Sequence, residues 1–464
     1  MPKWVYPMKK HQTILSVFLL ALLIGDAYRV WCHSFDTQLD QTDSTGTPSQ
    51  AMSPPPPVMR SKPTRLDGKI ILLQERLKLN PENPQAHHQL AGAYLQKARE
   101  AEAPVYYTKA ESLLWKAMEL EPNSVEAMGL MGALCLARHQ FRDALAWGKR
   151  ARALAPSNSY VYGVITDAHV ELGEYEQAIE SLQHMMDIRP DLCSYSRVSY
   201  LRELTGNAEG AIEAMSMAVN AGQVGTEARA WCRVQLGNLH FNRGRADLAG
   251  VEYQKVLTEL PTYVHALAGQ ARIEAARQNY PKAISLYTQI VEVIPTSEYV
   301  IALGDVYKAS GQTAKADRHY ARVRAIGDAY RANGMDVDME IALFEADHDR
   351  NLLEALRCAR QAFEARPSIY AADVLAWTLY KTGKYAEAYE MSRHALRLGT
   401  KDAMLFFHTG MICKQLGRWG EARDFLEQAL AINPHFSLQY AEEAVHTLKD
   451  LHHLPPTAAV RLKQ

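Results

Sequence analysis

A ladder of small residues, bulky apolar residues and a closing proline recurs along most of this chain, with a period of roughly 34 residues. Its clearest copy includes the stretch QLGRWGEARDFLEQALAINP, residues 415–434. The ladder positions of that copy are Gly410, Gly417, Trp419, Ala422, Leu426, Ala429 and Pro434. Ten copies can be aligned, this one and nine upstream of it. One copy cannot bury its own apolar face, so neighbouring copies must stack into an array.

The ladder has a direct physical explanation. Ala422, Leu426 and Ala429 follow one another at spacings of four and three, which places them on one face of a helix. Gly417 lies at the turn before that helix, where the backbone needs a conformation that other residues resist. Pro434 ends the helix and lets the next one begin. Each copy is therefore predicted to be a pair of helices joined by a tight turn.

This period and this ladder resemble the tetratricopeptide repeat family, over roughly residues 65–451. The resemblance implies an all-α fold, a right-handed superhelical solenoid of helix pairs with a concave groove. It is specific for the fold and weak for the function, because one scaffold of this kind serves many unrelated tasks.

The chain divides into segments of different composition. A basic and then apolar N-terminus is followed by a Ser/Thr/Pro-rich linker that cannot bury a core. A lone helix precedes the repeats as a cap, and an amphipathic helix followed by a short flexible tail comes after them. The predicted boundaries are 1–27 for the export signal, 28–65 for the linker, 66–83 for the first cap, 84–436 for the ten repeats, 437–452 for the second cap and 453–464 for the tail.

The N-terminus predicts export. Lys9 and Lys10 precede the apolar run ILSVFLLALLI of residues 14–24, and Gly25 and Ala27 offer a cleavage site after Ala27. A cleaved signal peptide is favoured over an uncleaved signal anchor, because the run is shorter than the ~17–25 residues that a membrane span needs. Either reading places the rest outside the cytoplasm, periplasmic or extracellular, with membrane contact only through an uncleaved N-terminus.

Composition and motifs exclude several classes of function. The formal net charge of -1 argues against broad nucleic-acid binding, which needs a basic excess. The six cysteines include no CxxC pair, and no phosphate-binding loop, GxSxG elbow, HExxH or dinucleotide-binding glycine pattern occurs. Because the repeats account for nearly every segment, the chain is predicted to be no enzyme and to need no cofactor.

The family resemblance implies that the first helix of each pair lines the groove, and fixed offsets from the small ladder residue identify groove positions. The groove becomes richer in aromatic and acidic residues toward the C-terminus, which favours binding of a protein or peptide; the open alternative is that the rings pack between helices. The candidate groove residues are Trp231, Asn238, His265, Arg272, Asp305, Glu340, Phe344, Asp347, Tyr370, Asp373, Trp377, Tyr380, Phe407 and His408, with Met411 and Lys414 on the last copy.

Two alternatives stay open beside a non-enzymatic binding scaffold. One is a metal or small-ligand site, possibly catalytic, in the groove of repeats 6–10, because carboxylates and histidines lie at or beside successive groove positions. The other is a recognition or regulatory subunit of a separate enzyme. Asn238, Arg272 and Lys308 also match in part the carboxylate clamp of some family members, although Asp305 would oppose an anionic guest.

Overall fold

The computed structural model describes residues 65–452, which form 22 α-helices and no strand. An initial helix α1 (Arg65–Leu79) is followed by ten helix pairs and a final helix α22 (Ala441–His452). The first helices of the pairs are α2 (Pro84–Ala101), α4 (Val125–Ala137), α6 (Ser159–Glu171), α8 (Leu192–Leu204), α10 (Glu227–Asn242), α12 (Val264–Ala276), α14 (Ser297–Ala309), α16 (Asp338–Asp347), α18 (Ile369–Lys381) and α20 (Ala403–Gln415). The second helices are α3 (Val105–Leu120), α5 (Phe141–Leu154), α7 (Tyr175–Ile188), α9 (Ala208–Ala221), α11 (Ala246–Glu259), α13 (Tyr280–Val293), α15 (Thr313–Arg331), α17 (Leu352–Ala365), α19 (Tyr385–Ala395) and α21 (Trp419–Ile432).

The predicted fold class is confirmed: the chain is an all-α, right-handed superhelical solenoid. Burial separates the two helices of a pair. In α4 every residue from Ala127 to Ala137 is buried, whereas α5 is buried only along the stripe Phe141, Ala144, Gly148 and Ala151. The first helices therefore lie inside the superhelix, and the second helices, called outer helices below, face solvent with their remaining sides.

The small ladder residues allow the two helices of a pair to approach closely. A Cβ atom at Gly237 would lie 2.5 Å from the ring of Tyr253, and a Cβ atom at Gly410 would lie 2.9 Å from Leu426. Such distances are below any normal carbon contact, so a larger residue would force the helices apart. Gly417 has a φ of +71°, which is the left-handed conformation expected at the turn.

The predicted N-terminal export signal, most of the predicted linker and the predicted C-terminal tail lie outside the described residues. Within the described residues, α1 covers the first repeat with the buried side chains of Leu66, Ile70 and Leu73. At the other end, α22 covers the last repeat with Ala444 and Leu451. No helix between residues 65 and 452 combines the length and the apolarity of a membrane span.

The superhelix is wound so tightly that its second turn rests on its first. Contacts join residues separated by 192 to 197 positions, so one superhelical turn holds about five to six repeats. We call this line of contacts the seam. It joins the turns within repeats 2–5 to the connections that follow repeats 7–10, through the pairs His139 with Asp336, Tyr175 with Ile369, Thr400 with Leu204, and Asn433 with Phe241.

Glycine is required where the seam is tightest. Gly173 and Gly206 both have left-handed φ angles, and a Cβ atom at either would collide with a backbone carbonyl oxygen of the other superhelical turn, that of Pro367 or Gly399. These two ladder glycines therefore form the turn of their own repeat and also admit the backbone of a distant one.

Replacing Tyr175 with Phe tests the seam. The buried Tyr175 hydroxyl accepts a hydrogen bond of 2.9 Å from the backbone N–H of Ile369, and the substitution leaves that N–H unpaired. We expect a loss of about 1–3 kcal/mol, concentrated at this contact. Hydrogen exchange followed by mass spectrometry should show the Ile369 amide exchanging about tenfold faster or more.

Tyr162→Phe is the matched control, because the Tyr162 hydroxyl donates to the exposed Pro156 carbonyl of its own connection. Unchanged protection around Ile369 in Tyr175→Phe would contradict the seam.

Candidate binding face

The structure buries more than half of the predicted groove residues. Side chains with less than a tenth of their surface exposed are Trp231, Asn238, His265, Phe344, Asp373, Trp377, Phe407, His408 and Met411. Those that remain half-buried are Arg272, Asp305, Glu340, Asp347, Tyr370, Tyr380 and Lys414. Their assignment as partner-binding residues stays a prediction, and their internal contacts determine which of them a partner could reach.

The aromatic residues of the last repeats form one stack. The indole of Trp377 lies parallel to the ring of Tyr380 at 4.7 Å on one side and to that of His408 at 4.1 Å on the other. Phe407 stacks at 4.9 Å on Tyr440, which precedes α22. Trp377 is 1% exposed and Phe407 is fully buried, so most of this stack holds the last two repeats to the C-terminal cap. Of these rings only Tyr380 keeps substantial contact with solvent.

Carboxylates next to the stack are hydrogen-bonded. The indole N–H of Trp377 donates to Asp347 at 2.9 Å, and the Tyr440 hydroxyl donates to the same carboxylate at 3.0 Å. Burial raises the pKa of Asp347, against the opposing effect of the nearby His408 and His348. Asp373 lies 3.0 Å from Nδ1 of the buried His408. These groups therefore serve one another as partners.

The carboxylates and histidines that were predicted as possible metal ligands form separate pairs in the structure. His348 bonds Asp305 at 2.9 Å, with Tyr320 donating to the same carboxylate oxygen at 2.8 Å. His265 bonds the hydroxyl of Tyr299 at 2.7 Å, two repeats away from Asp347. Across residues 65–452, no group of three His, Cys, Asp or Glu side chains is placed to hold a metal ion.

The residues of the partial carboxylate clamp contact each other. Arg272 donates to the Asn238 side-chain oxygen at 2.9 Å and to the Tyr253 hydroxyl at 3.1 Å, and its guanidinium lies 4.1 Å from the ring centroid of Phe241. Only Lys308 of the three is exposed. Two of the three clamp positions are thus engaged in packing between repeats 5 and 6.

Glu340 belongs to the interface between superhelical turns. It accepts a hydrogen bond of 3.1 Å from the buried Arg366, and it lies 3.9 Å from His139 of repeat 2. Burial alone would raise the pKa of Glu340. The pKa is nevertheless lowered, because Arg366 and His139 favour the charged form of the carboxylate. Arg366 also lies over the ring of Phe141, so a charged pair of repeat 8 packs against repeat 2.

Two glutamates of the inside, the buried Glu203 and the half-buried Glu171, were not among the predicted residues. Burial raises the pKa of Glu171 to about 7 and that of Glu203 to about 8. Glu203 is the penultimate residue of α8 and lies beside the seam, next to the Leu204 carbonyl that Thr400 contacts. The ladder could have located it: Ser199 takes the place of the small residue in repeat 4, bonding the Ala211 carbonyl of the partner helix, and Glu203 lies four residues later, a groove offset.

Glu203 predicts a fall in stability as the pH rises. The folded protein holds a proton on Glu203 up to about pH 8, whereas the unfolded chain releases it near the ordinary value of 4.5. The folded state therefore binds more protons in this window, and stability decreases with increasing pH. We expect urea denaturation to show a loss on the order of 1–4 kcal/mol between about pH 5 and pH 8.5 that is smaller in Glu203→Gln, where Glu171, whose pKa is raised to about 7, still contributes.

Glu213→Gln provides the control, because Glu213 is an exposed glutamate on the neighbouring α9. An equal pH slope in the wild type and Glu203→Gln would refute this role for Glu203.

Comparisons with known proteins agree with this architecture. Residues 348–429 match a family model described as anaphase-promoting complex, cyclosome, subunit 3. The chain is similar to mouse (Mus musculus) tetratricopeptide repeat protein 21A, with 24% identity over 318 residues; the match covers 63% of this chain and 24% of that protein, so it spans about a quarter of that relative's length.

Solved structures share the helical-repeat likeness at low identity. The Cut9–Hcn1 hetero-tetramer of APC/C matches with a TM-score of 0.37 and 14% identity, covering 82% of this chain and 92% of that one. PilW, described as a widely conserved type IV pilus biogenesis factor, matches with a TM-score of 0.37 and 16% identity, covering 43% of this chain and 92% of that one.

Proposed function

Because this chain is a tetratricopeptide repeat protein, we propose that it is a protein-binding adaptor that has no catalytic activity of its own and needs no cofactor. The observation that carries the proposal is the continuity of the repeat array, whose ten helix pairs and two end helices occupy nearly all of residues 65–452. Residues 65–452 contain no group of three His, Cys, Asp or Glu side chains placed to hold a metal ion, and the sequence contains none of the catalytic motifs named above.

We place the partner at the C-terminal end of the inner face, where predicted groove residues remain accessible. Tyr380 is half-buried and stacks on Trp377, and its hydroxyl bonds Gln415 of the next repeat. Lys414 is half-buried and donates to Thr447 at 3.3 Å. Tyr380 and Lys414 hold the same ladder position in repeats 9 and 10, and they provide an apolar surface and a charge-assisted donor, a combination suited to a peptide segment.

The proposal predicts that Tyr380→Ala combined with Lys414→Ala weakens partner capture about tenfold or more, because both side chains would be lost from the contact. The measurement is quantitative mass spectrometry of proteins cross-linked to the tagged chain in its native cells. Trp377 is unsuitable as a probe, since truncating this buried ring should cost about 3–5 kcal/mol of stability.

The control for this experiment is Tyr389→Ala combined with Lys384→Ala, which removes the same residue types from the outer side of repeat 9. Partners that the inner-face variant loses and the outer-face variant keeps support the site. If both variants, folded as judged by circular dichroism, capture the same set, this location is wrong.

We further propose that the adaptor acts outside the cytoplasm or at the membrane. The support is the sequence of residues 1–27, which lie outside the described structure. Export with cleavage predicts that the C-terminally tagged protein recovered from native cells begins at Tyr28, which intact-mass measurement resolves. An intact chain in the membrane fraction would indicate the anchor instead, and an intact chain in the cytosol would contradict export.

A second candidate is a recognition or regulatory subunit of a separate enzyme. The favouring observation is the match of residues 348–429 to a family described as a subunit of a multi-subunit complex. Size-exclusion chromatography of native extracts distinguishes the candidates: a subunit migrates mainly in a stable assembly of fixed composition, whereas an adaptor that binds transiently migrates mainly on its own.

A further inference from the structure

The outer helix of repeat 2, α5, carries a basic surface that the groove hypothesis does not use. Lys149, Arg150 and Arg152 are exposed on its second half, and the only acidic residue of the helix, Asp143, lies in its first turn. Cations near a helix C-terminus are favoured by the helix dipole, which makes this arrangement compatible with a stable fold. The three cations lie within four residues, so they nevertheless produce a concentrated positive potential at the surface.

Two tryptophans lie beside these cations. The ring of Trp115, from α3, is 53% exposed and meets the ring of Trp147 edge-on at 5.7 Å. The guanidinium of Arg150 lies 4.3 Å from the centroid of Trp147. The surface formed by Trp115, Trp147, Lys149, Arg150 and Arg152 is called the Trp–Arg platform. Tryptophan and arginine are the residue types that most often dominate the energy of protein interfaces.

The cations of the platform lack acidic partners. Within the part of the chain that the structure describes, Lys149, Arg150 and Arg152 have no carboxylate within 4.0 Å. Three carboxylates of the adjacent repeats are engaged elsewhere, in the pairs Glu111 with Arg138, Glu119 with Lys116, and Glu174 with His169. Other outer helices neutralise a cation with a glutamate one turn away, as in Lys255 with Glu252.

The helix geometry divides this surface into an apolar ridge that includes one cation and a ridge of small residues around another. Trp147, Arg150 and Leu154 follow at spacings of three and four, so they form one ridge, on which Leu154 is 46% exposed. The next ridge consists of Ala146, Lys149 and Ala153. Its two exposed alanines have small side chains, so they leave a shallow depression beside the lysine. A peptide backbone can lie along this strip, with apolar side chains toward Trp115 and Leu154 and acidic side chains toward the cations.

We propose that the Trp–Arg platform on the convex face docks an acidic protein segment that also carries bulky apolar side chains. Charge complementarity identifies the acidic character of the partner, and the exposed tryptophan and leucine identify the apolar one. A phosphate backbone or a lipid headgroup would satisfy the cations alone and leave the apolar ridge in water. The docking surface is separate from the inner face, so it would allow one chain to hold two partners.

The test measures fluorescence anisotropy of a labelled peptide of alternating Glu and Phe titrated with the tagged chain. We expect binding that weakens as salt is added, because exposed charges are screened. Replacing Lys149, Arg150 and Arg152 together with Glu should weaken it about tenfold or more, and Trp115→Ala should weaken it about fivefold or more. Lys149→Gln with Arg152→Gln supplies a milder variant should the charge reversal disturb folding.

The charge-matched control replaces Arg318, Arg322 and Arg423 with Glu, because these exposed cations lie on the outer helices of other repeats. An equal loss in this control would show that net charge alone drives binding, which overturns the proposal. So would peptide binding that is absent, or unchanged in the folded platform variants. Platform-dependent binding of phosphatidylserine vesicles or single-stranded DNA, without binding of the Glu/Phe peptide, would assign the surface to a membrane or a nucleic acid and also overturn it.

Discussion

The contact between successive superhelical turns is the constraint on which the rest of this structure depends. A solenoid of helix pairs normally keeps each repeat in contact only with its neighbours. Here the seam adds partners about 195 residues away, such as Tyr175 with Ile369. At the seam one superhelical turn covers the other, so side chains there, such as that of Tyr175, become core.

Burial at the seam explains the chemistry of the inside. Removed from water, carboxylates must find donors or stay protonated. Asp167 is held by Arg197 at 2.6 Å, and Glu340 is held by Arg366, whereas Glu203 keeps its proton and its pKa is raised to about 8. The same low-dielectric environment therefore produces both paired ions and a neutral acid, depending on whether a cation lies within reach.

The local fold could be predicted from the sequence, but the burial of the candidate site could not. Gly237, Tyr253 and their ladder equivalents act between adjacent helices, so spacing alone indicates their contacts. Whether Trp377 faces a groove or a neighbour depends on how closely repeat 10 and the C-terminal cap pack against repeat 9, which the ladder does not specify. The offset rule selects positions by their spacing within one repeat, so it contains no information on what lies opposite them.

The burial of most candidate groove residues changes where a partner can be recognised. A partner that required Trp377, Phe407 or His408 would have to break packing worth several kcal/mol per ring, and its binding energy would be reduced by that amount. Contacts at the half-buried Tyr380 and at the convex Trp115 need no such opening. Superhelical turns that are held at a seam resist separation. A partner therefore binds more tightly at the edge of the inner face or on the outer helices than within the superhelix.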